Sequence, residues 1–65
     1  MLNEKITLRA ARVNAGMTLD DVADLTGWDK NVINRWELGK TVPSVIKAER
    51  LCQVYNVSLS DIRWK

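Results

Sequence analysis

Three observations on this 65-residue chain predict an all-α fold, a compact bundle of five short helices. First, apolar residues recur at helical spacing, and no strand alternation of useful length competes. Val54 to Leu59 comes nearest, and its Asn and Ser positions fit a helix end and a cap better. Second, the 3 Gly and 1 Pro fall singly and punctuate short elements, leaving no linker, repeat or low-complexity tract. Third, Thr, Asp or Ser stands before several apolar stretches, where a side-chain oxygen accepts from the free N–H groups of a first helical turn. Connections of roughly two to five residues are then the usual range between bundled helices.

The first helix is predicted from Ile6 to Ala15, a stretch without Gly or Pro that puts Leu8, Ala11, Arg12 and Ala15 on one face. Gly16 ends it. Thr18 caps the second, Leu19 to about Thr26; Asp21 completes an acidic capping box and Asp20 sits favourably against the helix dipole. Its apolar members are Leu19, Val22, Ala23 and Leu25, and Gly27 is its stop. Asp29 caps a third segment, Lys30 to Leu38, with Val32, Ile33 and Trp36 at helical spacing and Gly39 at its close. Lys40 to Pro43 is a loop, because Pro43 has no N–H to donate and disfavours helical geometry in the residue before it. Ser44 caps a fourth helix, about Val45 to Tyr55, with Ala48, Leu51, Cys52 and Tyr55 as its buried stripe and Asn56 at its left-handed end. Ser58 and Asp61 repeat the capping signature for a last short helix, Leu59 to Arg63.

Composition narrows function. One Cys makes no internal disulfide, which favours a reducing, cytoplasmic setting, and without His the chain has neither the usual zinc ligands nor a ready acid/base for neutral pH. No catalytic constellation, metal site or cofactor is expected. No apolar run approaches the roughly 20 residues that span a bilayer, and Met1 to Arg9 lacks the apolar core of a signal peptide, so a soluble protein with no membrane partner is expected. Folding a single domain of this size, residues 1–65, removes only about 60% of the surface of the unfolded chain, which makes self-association a reasonable expectation.

The formal charge of +2 permits nucleic-acid binding without arguing strongly for it. Its distribution says more. Asp20, Asp21, Asp24 and Asp29 make one acidic segment, whereas the third segment and its loop carry Lys30, Arg35 and Lys40 against Glu37 alone.

The most informative stretch is TLDDVADLTGWDKNVINRWELGK, Thr18 to Lys40. Two short helices meet at a tight turn through Gly27, and small Ala23 stands where the second must pass close to the first, a helix-turn-helix arrangement spanning about residues 19–38. In this light the chain resembles Cro/repressor-type helix-turn-helix proteins of the xenobiotic-response-element family. The resemblance covers Leu8 through Ile62. Its marks are Leu8 and Arg12, Gly16 and Thr18, Ala23 and Gly27, then Ile33, Glu37, Gly39 and Pro43-Ser44, followed by Leu51 and Val57-Ser58-Leu59 to Ile62.

That resemblance implies a lambda-repressor-like DNA-binding domain in which Lys30, Asn31, Asn34 and Arg35 project from the recognition helix into the major groove. Their chemistry suits the role: Arg and Lys donate to guanine O6 and N7, Asn pairs with adenine, and each good contact discriminates by roughly 1–3 kcal/mol. They also share one polar face, while Ile33 and Trp36 point inward. The plainer alternative is the solvated side of an ordinary amphipathic helix. Phosphate contacts are expected from Lys40 and Thr41 in the loop and from the helix starts at Thr18 and Ser44, where capping is compatible with contact. Many family members have Gln where this chain has Leu19, which cannot hold a phosphate and is open to a second reading as part of a protein contact. The family pattern further implies a structural, partly buried ion pair between Arg12 and Glu37, leaving Arg9 a free surface charge.

The three tryptophans are too scattered for a base-stacking platform. Trp36 is expected in the core, and Trp28 either as a lid over the motif or as an indole against the DNA backbone; Cys52 is read as a small buried hydrophobe. Leu59, Ile62 and Trp64 offer apolar surface for packing back on the monomer or for a second copy. The resemblance favours a homodimer whose recognition helices enter successive major grooves about 34 Å apart on a near-palindromic operator. The leading expectation is thus a sequence-specific regulator of double-stranded DNA, a repressor by occlusion. The competing one is a protein-interaction module on the same scaffold, an antitoxin or anti-repressor with a regulatory protein partner.

Overall fold

In the computed structural model, which describes residues 4–64, the chain runs through β1 (Ile6–Thr7), α1 (Leu8–Asn14), α2 (Leu19–Thr26), α3 (Lys30–Glu37) and α4 (Val45–Tyr55). A single 3-10 turn (Leu59–Asp61) and β2 (Ile62–Arg63) follow. Met1 to Asn3 and Lys65, counted above within the domain, lie outside the described residues.

Among the described residues four α-helices therefore stand where five were expected. The first begins two residues later than its apolar pattern suggests, because Thr7 is extended and its hydroxyl accepts from the Ala10 N–H at 3.0 Å, a side-chain cap. The last shrinks to one 3-10 turn, which the Ser58 N–H tightens by donating to Asp61 Oδ2 at 3.0 Å. Beyond it Ile62 and Arg63 turn extended and pair in parallel with Ile6 and Thr7. This two-strand clasp joins the two ends of the described chain and holds Ile62 in the core at 1% exposure.

Leu8, Ala11, Val22, Ile33, Trp36, Leu51, Cys52, Tyr55 and Ile62 form that core, so every helix and the clasp contribute to it. The stripe of α4 is buried in full: Ala48, Leu51, Cys52 and Tyr55. Ala15 and Leu25 stay outside the core. Ala15 is exposed, as the C-cap of α1. Leu25 is also exposed, because at 100° per residue Thr26 and Leu19, not Leu25, share the inward side with Val22.

Candidate nucleic-acid interface

Local hydrogen bonds set the geometry of the two central helices. At the start of α2 the Thr18 N–H donates to Asp21 Oδ2 at 2.9 Å, and the Asp21 N–H donates back to Thr18 Oγ1 at 3.1 Å. Gly27 ends the helix at φ +79°, a conformation that costs an L side chain roughly 1–2 kcal/mol. The Thr26 hydroxyl donates to the Val22 carbonyl and accepts from the Trp28 N–H, fixing the turn, and the Asp29 carboxylate accepts from the Asn31 N–H at 2.7 Å to open α3. Above the turn, Trp28 meets Trp36 edge to face, with centroids 5.6 Å apart, and the Lys47 ammonium lies 5.9 Å from the centre of the Trp28 ring. Trp28 thus ties the turn to both α3 and α4.

The end of α3 is tied to α1 through a two-pronged ion pair. Arg12 Nε donates to Glu37 Oε2 at 2.7 Å and Nη2 to Oε1 at 3.2 Å, while Nη1 donates to the Met17 carbonyl at 2.8 Å. The Glu37 hydrogen bond raises the Arg12 pKa above its ordinary value, outweighing the opposite effect of burial. Such a planar fork fixes orientation as well as distance. Nearby, the buried Tyr55 hydroxyl has no hydrogen-bond partner among the described residues, and burial, followed by the charge of Glu37, pushes its pKa up to about 12. Burial likewise raises the Cys52 thiol, which keeps it an unreactive core residue.

With Ile33 and Trp36 locked inward, α3 turns Lys30, Asn31, Asn34 and Arg35 to its outer side; Asn34 is half-buried and the other three are exposed. Two open grooves flank this face. One, of about 570 Å³, lies between α3 and α1, with Arg9, Asn34 and Leu38 on its walls, and the other, of about 310 Å³, runs between α3 and the start of α2. Leu19 lines both, half-buried rather than free on the surface.

Lys40 and Thr41 are exposed in the loop after α3. The Thr18 and Ser44 hydroxyls both accept cap bonds, Ser44 from the Lys47 N–H at 3.3 Å, which leaves each hydroxyl proton as a donor. The structure gathers Lys30, Asn31, Asn34 and Thr18 around one groove and sets Ser44 apart at the start of α4.

Two neighbours of this face escaped the sequence reading. Leu38 is exposed at the end of α3, three positions after Arg35 and four after Asn34, a phase the sequence does contain. Asp20 reaches across from α2, with its Oδ1 3.2 Å from Lys30 Nζ. Lys30 is therefore not the unpaired cation that the charge distribution suggested. Among the described residues no group of three or more His, Cys, Asp or Glu is placed to hold a metal, and no helix is long and apolar enough to cross a membrane.

A capped helix, a glycine turn and a second helix with an apolar inner and a polar outer face define a DNA-binding regulator of the helix-turn-helix class. A family model described as helix-turn-helix matches residues 8–62, and the chain belongs to that family, in its Cro/repressor, xenobiotic-response-element branch. Comparison with curated proteins and with solved structures finds no match in either.

Proposed function

We propose that the protein is a sequence-specific transcriptional repressor that binds a near-palindromic operator as a homodimer in the cytoplasm, with no catalytic step and no cofactor. The outer face of α3 carries this reading: four polar side chains stand clear of the core on a helix whose inward residues are fixed by Ile33, Trp36 and the Glu37 fork. Arg35 donates to guanine, Asn31 and Asn34 pair with adenine, and Lys30 donates to acceptors at the groove edge. Lys40, Thr41, Thr18 and Ser44 hold phosphates and set orientation. In support of a second copy, Val42, Val45 and Ile46 project from the loop and the first turn of α4, and Ile46 is 79% exposed. Beside them Pro43, Ala48, Leu59 and Trp64 line an apolar groove.

Selection of bound sequences from random duplexes at two salt concentrations tests the proposal. A two-fold motif and a steep loss of affinity with salt are expected; no motif and no salt dependence overturn it. Within the motif, Arg35→Ala relaxes one base position by about 1–3 kcal/mol, whereas Lys40→Ala weakens all sequences about equally. The same apolar groove favours a second reading, capture of a regulatory protein partner by this scaffold.

A further inference from the structure

Asp20 is an acid at a surface meant for a polyanion, and its contact with Lys30 gives it a use there. Asp20 is the second residue of α2 and Lys30 the first of α3, so the turn brings the two helix starts together and their side chains meet at 3.2 Å. Both remain open to solvent, with side chains 55% exposed for Lys30 and 72% for Asp20. Open ion pairs of this kind hold a fold together only weakly. What the pair does supply is chemical: it places a carboxylate acceptor directly beside an ammonium donor on the groove that Asn31 and Asn34 share.

We infer that Asp20 and Lys30 act as one unit that reads a single G·C base pair, an inference that rests on α3 being the groove-facing helix. In the major groove a G·C pair shows guanine N7 and O6, both acceptors, next to the cytosine N4 amine, a donor. O6 and N4 lie about 3 Å apart, a hydrogen-bond length that matches the spacing of the ion pair. The ammonium has three N–H donors, so one stays on Asp20 while the others reach N7 and O6. The carboxylate keeps free lone pairs for N4.

The competing pairs fit less well. T·A offers the same adjacent acceptor and donor, but it sets the thymine methyl against the ammonium and adenine N7, an acceptor, against the carboxylate. C·G reverses donor and acceptor and opposes like groups throughout. Asp20 therefore selects, and it does so by repelling wrong pairs as much as by holding the right one.

The test compares wild type with Asp20→Ala and with Asp24→Ala, which removes the same charge from the same helix without touching Lys30. Each is taken through selection and then competition between the selected duplex and single-pair replacements. Wild type is expected to prefer G·C at one position of each half-site by about tenfold. In Asp20→Ala the preference for G·C over T·A at that position falls several-fold, the remainder resting on guanine N7 and the thymine methyl, while the Arg35-dependent position and the Asp24→Ala motif stay unchanged. Unaltered G·C preference in Asp20→Ala, or the same loss in Asp24→Ala, overturns the inference and leaves the repressor reading intact. A wild-type chain that enriches no sequence overturns both.

Discussion

Among the described residues two ion pairs tie α3 to a neighbouring helix, and they differ in nearly every respect except their chemistry. Arg12 with Glu37 is sunk between α1 and α3, where the Glu37 side chain is 3% exposed and the guanidinium spends its third contact on a backbone carbonyl. Lys30 with Asp20 spans α2 and α3 at the open rim. The first has exchanged hydration for fixed geometry, so its groups cannot be lost singly without leaving a charge in the core. The second keeps its hydration and its rotamers, and so stays free to take further partners. Burial, not charge, decides which pair sets the helix and which is available to a ligand.

The largest effect should come from the buried pair. Arg12→Ala or Glu37→Ala is expected to cost about 3–5 kcal/mol in urea unfolding followed by circular dichroism, a large share of the stability of so small a domain. Replacing both together, as Arg12→Met with Glu37→Leu, should recover most of that loss, since no lone charge remains. A loss under about 1 kcal/mol for either single change would put the two pairs on the same footing and break the comparison.

Next in size is the effect of Tyr55, which feels the charge of Glu37. Its pKa is raised in the fold, from 10.0 to about 12, so the associated stability is fully present below pH 10 and is lost as pH climbs toward 12. The two-unit span corresponds to about 2–3 kcal/mol. Relative to Tyr55→Phe, the wild type should weaken by about that amount across this window. At neutral pH the variant should be as stable or slightly more so, because the hydroxyl it removes has no partner among the described residues. Parallel pH profiles for the two proteins would mean that the phenol reaches water and that the region around Glu37 is less closed than its geometry implies.

These regions were not equally legible in the sequence. The caps at Thr18, Asp29 and Ser44 and the left-handed stops at Gly27 and Gly39 follow from hydrogen bonds and steric limits within a few residues, and the sequence contains all of that information. The phase of α3 was legible too, because Ile33 and Trp36 leave only one side for the polar residues. Pairings between distant residues were not. Arg12 and Glu37 stand 25 positions apart and were linked only through the family resemblance. The clasp of Ile6–Thr7 with Ile62–Arg63 has no local pattern at all, since a two-residue strand is too short to alternate. Residue type alone does not place Leu25, an apolar member of α2 whose angle on the helix faces out. Asp20 was read only against the α2 dipole: its contact with Lys30 depends on how α2 and α3 cross, which neither helix encodes alone.

The smallest expected effect belongs to the open pair and completes the contrast. Lys30→Ala and Asp20→Ala should each change stability by under about 1 kcal/mol, and the coupling between them in a double-mutant cycle should fade further as salt is raised. Asp20→Ala carries one complication: the carboxylate also favours the positive end of α2, a contribution of roughly 0.3–1 kcal/mol that does not involve Lys30. The cycle separates the two, because the dipole contribution appears in both arms and cancels in the coupling. A coupling that is small and vanishes in salt describes a pair whose remaining donors and lone pairs can adjust to a base edge at little cost to the fold. A coupling of several kcal/mol that survives salt would make Lys30–Asp20 a structural bond like Arg12–Glu37 and would remove the contrast between the two pairs.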